Sequence, residues 1–210
     1  MVYYAVANGR QPGIYENWED CREQVLHYSH ANFKKFSTLR EAQKYLMNNS
    51  SYDYYDDFEI DDDGYVNVYT DGACINNGSR YAQGGIGVWF ADNHPLNVSE
   101  PIIGRATNNK AEIKAVTRAT EVACEAGIKR LKINTDSRFL INCITKWIDP
   151  WKRNGWRTYD GRPVINRYEL IEMEEALDML HVVWSHIRGH NGNYGNEQAD
   201  KLAREGINKA

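Results

Sequence analysis

The 210-residue sequence predicts an α/β fold: a mixed five-stranded sheet flanked by helices, half antiparallel meander and half parallel strands, preceded by a small α/β unit. Three observations carry this prediction. Residues 65–72 alternate Val66, Val68 and Thr70 against Tyr65, Asn67 and Tyr69, the period-two pattern of a strand. Two more strand-like runs, residues 84–90 and 98–104, follow before any helical pattern, which makes a meander. Beyond residue 107, helical and strand-like runs alternate, and strands joined through helices pair in parallel.

Residues 1–48 form the first unit, with a strand over 3–6 and a second over 13–15, separated by the turn pairs Asn8-Gly9 and Pro12-Gly13. A helix is expected over 18–28, a third strand over 32–36, and a second helix over 38–47 with Ala42, Tyr45 and Leu46 on one side. Residues 49–64 read as an extended, solvated linker. Asp53, Asp56, Asp57, Glu59, Asp61, Asp62 and Asp63 repel one another with no basic residue among them. Residues 65–210 form the larger unit, in which Thr107 caps a helix over 108–126. A strand over 131–135, a helix over 138–147 and a helical region over 164–179 follow, then a strand over 182–186 and a helix over 194–206.

Hydrophobic content of 42% with 26% charged residues describes a globular chain, and no apolar run is long enough to span a membrane. Residues 2–6 are strand-like and show no targeting presequence. Cys21, Cys74, Cys124 and Cys143 lie far apart without a Cys-x-x-Cys, which fits reduced thiols in nucleus or cytoplasm. The net charge of −4 is unevenly spread: residues 146–167 hold Lys146, Lys152, Arg153, Arg157, Arg162 and Arg167 against Asp149 and Asp160. A local basic face of this kind suits a polyanion.

Four carboxylates stand out. Asp71 is expected at the exit of the first strand of the larger unit, where Gly72 stops it, and Asp136 at the end of the fourth strand. If those strands are adjacent and parallel, the two carboxylates emerge side by side at the edge where open α/β sheets bind ligands. Glu112 shares a helix face with Ala115, Val116, Ala119, Val122 and Ala123, and a glutamate on a packing face is costly unless paired. Asp200 lies beside Ala199 and Ala203 on the last helix. Singly, each has a plainer reading as a turn, a cap neighbour or a solvated helix face. Together they make a hard-oxygen site that selects Mg²⁺ or Mn²⁺, and two such ions about 4 Å apart activate water and stabilise the leaving oxygen of a phosphodiester.

Nucleic-acid signals lie on both sides of the linker. Phe33-Lys34-Lys35-Phe36 sets stacking surfaces beside cations. Residues 146–157 interleave Trp147, Trp151 and Trp156 with cations; the plainer reading is a helix–turn–helix with packed indoles and a solvated basic side. Asn77, Asn108 and Asn109 are short amides suited to minor-groove edges or 2′-hydroxyls. Joint chelation by His186 and His190 is disfavoured, because Gly189 interrupts any helix that would align them.

These motifs resemble a known family. Tyr4-Ala5-Val6, Gly9-Arg10, Gly13-Ile14-Tyr15, Trp18, Cys21, Val25 and Phe33-Lys34-Lys35-Phe36 are similar to the hybrid-binding domain of eukaryotic type 1 ribonucleases H. Tyr-Thr-Asp71-Gly, Thr107-Asn-Asn-Lys-Ala-Glu112, Asn-Thr-Asp136-Ser and Gly189-His190-Asn-Gly-Asn-Tyr-Gly-Asn-Glu-Gln-Ala-Asp200 follow the order and spacing of the ribonuclease H domain. The resemblance implies a ribonuclease H-like sheet and Asp71, Glu112, Asp136 and Asp200 as metal-binding catalytic carboxylates. It implies His190 as a mobile residue assisting proton transfer or product release. It further implies Trp147 and Trp151 along a DNA channel, Lys152, Arg153 and Arg157 on phosphates, and Arg105, Thr107 and Asn166 in a DNA-phosphate pocket. Tyr4, Trp18, Phe33, Lys34 and Lys35 would grip the hybrid. Asn32 stands where family members often carry a basic residue.

The expected function is a monomeric, Mg²⁺-dependent endoribonuclease that cuts the RNA strand of RNA/DNA hybrids and leaves 5′-phosphate and 3′-hydroxyl ends. R-loops, replication primers and reverse-transcription products are all open as the source of the hybrid. Two rivals stand beside it: a transposase or integrase of the same fold, and a non-catalytic hybrid-binding protein.

Overall fold

Alternation along the first strand builds the smaller unit. Strand β1 (Tyr3–Asn8) lies between β2 (Gly13–Tyr15) and β3 (Asn32–Phe36), all antiparallel. Tyr3, Ala5 and Ala7 pack with Ala42 and Leu46 of α2 (Leu39–Asn49), while Val6 packs with Cys21 and Val25 of α1 (Trp18–Val25). Successive strand residues point to opposite faces, so the sheet carries one helix on each face. Asn17 caps α1 by accepting from Asp20 N. In the computed structural model, which describes residues 2–49, 58–189 and 191–209, this unit comprises residues 1–59 with the loop 91–97. Within it, buried Gln43 donates from Nε2 to Pro95 O at 3.0 Å, and the ring centroids of Phe58 and His94 lie 4.7 Å apart.

The larger unit is ordered β6-β5-β4-β7-β8. Strands β4 (Val66–Ile75), β5 (Gln83–Trp89) and β6 (Val98–Pro101) form the antiparallel meander; β7 (Arg130–Thr135) and β8 (His181–His186) extend it in parallel from β4. Helix α3 (Asn108–Glu125) buries Ala111, Ile113, Ala115, Val116, Ala119, Val122 and Ala123, and Thr107 caps it by accepting from Lys110 N at 3.2 Å. Helix α4 (Arg138–Asn142), capped by Ser137, runs through a π-helical turn at Cys143–Trp147 into α5 (Ile148–Arg153). Helices α6 (Arg167–Leu177) and α7 (Tyr194–Ile207) complete the unit. No helix among the described residues is long and apolar enough to cross a membrane, and all four cysteines are free.

Several boundaries differ from expectation, each for a local reason. Strand β4 does not stop at Gly72; it continues to Ile75, with Gly72 paired to Ile86. Helix α1 ends at Val25, and His27 follows at φ 57°, outside helical geometry. Strand β6 ends at Pro101, before Gly104 at φ 81°. Helix α6 starts only at Arg167, because Asn166 adopts φ 60°. The helix expected to end at Trp147 continues to Arg153, with Pro150 in the first turn of α5, where a missing N–H is best tolerated. Residues 60–64, expected to be solvated linker, fold onto the larger unit. Ile60 bridges Val66, Asp61 Oδ1 accepts from Tyr65 N at 2.9 Å, and Asp61 pairs with Lys132 at 3.1 Å. Residues 50–57 of the expected linker lie outside the described residues.

Candidate active site

The parallel register brings the first two carboxylates together. Tyr69 pairs with Asn134, so two residues further along Asp71 stands opposite Asp136. A buried amide pair pins this alignment: Asn134 Nδ2 donates to Asn67 Oδ1 at 3.0 Å across the β4–β7 seam.

The third arrives through Gly72. A Cβ there would overlap the backbone nitrogen of Glu112 and stand 2.8 Å from Ala111 Cβ. Helix α3 therefore rests directly on β4 and delivers Glu112 beside Asp71. On the opposite sheet face, Gly87 pairs with Asp71, and a Cβ on Gly87 would overlap Ala199 O and stand 2.6 Å from Ala203 N. That close approach seats α7 on β5 and places Asp200 within hydrogen-bonding reach of Asp71.

One carboxylate oxygen from each of Asp71, Glu112 and Asp136 lies within 4.8 Å of the others. Of the four carboxylates expected to converge, these three form the cluster and Asp200 stands at its margin. Arg204, one turn along α7, forks Asp200 with Nε–Oδ1 at 3.0 Å and Nη2–Oδ2 at 2.9 Å.

Crowding and burial oppose ionisation. Burial, then the charge of Asp136, pushes the Asp71 carboxyl up to about 7. Burial, then the charges of Asp71 and Asp136, raises Glu112 well above the usual carboxylate range. Glu112 Oε2 is buried with no hydrogen-bond partner among the described residues. An all-oxygen donor set, a buried unpartnered carboxylate oxygen and uncompensated negative charge together fit a hard divalent cation.

The remaining predicted residues fall into groups. Arg105, Asn108 and Asn109 are exposed around the start of α3, with Thr107 half-buried as its cap. Asn166 is half-buried at the start of α6, a helix tied to α3 by the Lys110–Glu169 pair at 3.0 Å. Asn77 is exposed in the turn after β4. Trp147 and Trp151 stack with centroids 5.6 Å apart and Phe139 lies behind Trp147, whereas Trp156 is buried with Arg167 over its ring. Arg153 is exposed, Arg157 donates to Gly161 O at 2.8 Å, and Lys152 is held by Glu174 at 2.8 Å. His190 lies outside the described residues.

In the smaller unit, Trp18 lies 5.6 Å from Tyr4 and 5.9 Å from Phe33, an exposed aromatic row with Lys35 5.9 Å from the Tyr4 ring. Lys34 alternates to the other sheet face, over Phe36. The two lysines therefore do not share one surface.

Asn196 escaped the sequence reading. Four residues before Asp200, it donates from Nδ2 to Asp136 Oδ2 at 3.2 Å. The i, i+4 spacing on α7 was the available signal.

Comparison with known proteins identifies the family. Residues 63–208 match the RNase H family and residues 2–46 the Ribonuclease H1 N-terminal domain. Ribonuclease H1 of Homo sapiens is 35% identical over 258 aligned positions, covering 100% of this chain and 90% of the relative. Ribonuclease H of Schizosaccharomyces pombe is 30% identical, covering 99% and 98%. Among solved structures, LC9-RNase H1, a type 1 RNase H with the type 2 active-site motif, superposes with a TM-score of 0.55 at 28% identity, covering 68% of this chain and 71% of that one. The chain belongs to the ribonuclease H family and is an enzyme of that family, with a ribonuclease H1-type N-terminal domain ahead of its ribonuclease H domain.

Proposed function

We propose that this ribonuclease H cuts the RNA strand of RNA/DNA hybrids at the Asp71–Glu112–Asp136 cluster, with Asp200 completing the set of carboxylates. The observation that carries the reading is the convergence of three carboxylates on one sheet edge, with a buried glutamate oxygen left unpartnered. Two Mg²⁺ ions, or Mn²⁺ in their place, would be held by these four residues and would supply water activation and stabilisation of the leaving oxygen. Asp71, at the centre, faces all three other carboxylates. Glu112 brings charge from the helix side. Asp200, now paired with Arg204, would contribute its carboxylate to the loaded site. Products carry 5′-phosphate and 3′-hydroxyl ends, and His190 assists proton transfer or product release.

Residues 65–210, with 60–64 of the acidic linker 49–64 folded onto them, serve as the catalytic domain, and 1–48 as the hybrid-binding domain. The Trp147–Trp151 pair, with Trp147 exposed, Trp151 half-buried and Arg153 and Arg157 nearby in sequence, supports a channel for the DNA strand. Arg105, Thr107 and Asn166 hold a DNA phosphate; Asn77, Asn108 and Asn109 meet the minor groove. Tyr4, Trp18, Phe33 and Lys35 offer the hybrid one stacking face with a cation beside it, Lys34 adding charge from the other. The protein acts as a monomer in the nucleus or cytoplasm.

One assay tests this: labelled hybrid, duplex DNA and duplex RNA are incubated with Mg²⁺ and either the parent or Asp136→Asn. The expected result is cleavage of the RNA strand of the hybrid alone, abolished by the substitution. Cutting of duplex DNA would favour a transposase-like enzyme, and tight hybrid binding without cutting a binding module.

A further inference from the structure

Asp136 is held from two sides by residues outside the carboxylate cluster. Asn196 lies in the first turn of α7, where Asn193 caps the helix by accepting from Asn196 N at 3.0 Å. The Asn196 side chain is 4% exposed, and its Nδ2 donates to Asp136 Oδ2 at 3.2 Å. On the other side, Gly189 passes so close that a Cβ there would overlap the same oxygen and stand 3.2 Å from Asp136 Cγ. Asp136 Oδ2 is thus enclosed by an amide donor and a stretch of backbone, while one oxygen of the same carboxylate lies within 4.8 Å of oxygens of Asp71 and Glu112. The amide's own Oδ1 is buried without a hydrogen-bond partner among the described residues. Leaving a buried acceptor unpaired is unfavourable in a residue that serves packing alone, and such groups concentrate where function requires them.

We propose that Asn196 is a positioning residue of the metal site: it fixes the Asp136 carboxylate through Oδ2 and leaves Oδ1 to the divalent cation. Partners that orient a ligand from behind govern metal affinity nearly as strongly as the ligands themselves. This inference rests on the reading of Asp136 as a metal ligand.

The test uses the full chain. Mg²⁺ binding is measured calorimetrically, and the Mg²⁺ dependence of hybrid cleavage separately, for the parent, Asn196→Ala and Asp136→Asn. Asn196→Ala should weaken Mg²⁺ binding by about tenfold and raise the half-saturating Mg²⁺ concentration in parallel, with KM for hybrid unchanged at saturating metal. Parent-like Mg²⁺ affinity in a folded Asn196→Ala, or a defect confined to KM, would overturn the proposal. Should Asn196→Ala fail to fold, Asn196→Leu keeps the side-chain volume but removes the donor, and parent-like Mg²⁺ binding there overturns it equally. Parent-like Mg²⁺ binding by Asp136→Asn would sink the underlying reading of the site. Weakened binding in Asp136→Asn beside a parent-like Asn196→Ala would sink only the role of Asn196.

Discussion

Gly72 and Glu112 meet backbone to backbone: any Cβ on Gly72 would overlap the Glu112 amide nitrogen. The contact fixes how far β4 at Gly72 stands from the start of α3, and so how far Asp71 stands from Glu112. Gly72→Ala should push the helix away and separate the two carboxylates. Misplacement on the order of 1 Å costs about 100-fold in rate, and overpacking of this kind about 1–3 kcal/mol. Steady-state cleavage and thermal unfolding read the two effects. Gly13→Ala is the control: a Cβ there meets nothing closer than 3.8 Å, and cleavage should be unchanged.

Stability should depend on pH in opposite ways with and without metal. Asp71 titrates at about 7 in the folded chain against 3.8 as a free carboxyl, so between those values the folded state holds the extra proton. The metal-free protein should therefore be more stable near pH 4 and lose that part of its stability as pH rises towards 7. Glu112, raised for the same reasons, acts in the same direction. A bound divalent cation stabilises the ionised carboxylates and should flatten or reverse the slope. Thermal unfolding from pH 4 to 8, with chelator and with saturating Mg²⁺, checks this; equal slopes would contradict it.

Lys34 and Lys35 should be unequal in hybrid binding. Lys35 stands beside Tyr4 on the face that carries Trp18 and Phe33, while Lys34 lies over Phe36 on the other face. Lys35→Ala should weaken binding several-fold more than Lys34→Ala, and Trp18→Ala should lose on the order of 1–3 kcal/mol of stacking. Titration of a labelled hybrid by anisotropy distinguishes them, and equal losses for the two lysines would reject the assignment.

Lys152 is engaged before any nucleic acid arrives, because Glu174 holds its ammonium at 2.8 Å and raises its pKa. A phosphate must compete with that carboxylate. Glu174→Gln should therefore strengthen hybrid binding, by no more than about fivefold for a pair this exposed. It should also steepen the salt dependence by roughly one further phosphate contact. Binding measured across a salt series is the check, and weaker binding by Glu174→Gln would show that the pair instead braces the site.

Much of this was legible in the sequence. Consecutive residues encode the periodicity of β4, the apolar face of α3 and the caps Thr107 and Ser137, so element order and type followed from local pattern. The pairing of Asp71 with Asp136 was legible too, since helix-linked strands must run parallel and parallel register places equivalent strand ends together. The smaller unit's three strands and the Ala42–Leu46 face of its second helix were equally local.

Only the tertiary structure decided the rest. Gly72 reads as a strand stop in sequence because glycine is permissive; in the fold its missing side chain admits α3, and the strand runs on to Ile75. Asn196 reaches Asp136 across 60 positions, a contact no local period encodes. Asp200, at the cluster's margin, is paired with Arg204, and Lys34 parts from Lys35 because the sheet faces receive different partners. The sequence by itself determined the scaffold and singled out four carboxylates, of which Asp71, Glu112 and Asp136 gather within 4.8 Å of one another. The distances between them came from backbones pressed together at glycines and from side chains meeting across the sheet, where the outcome depends on non-local packing.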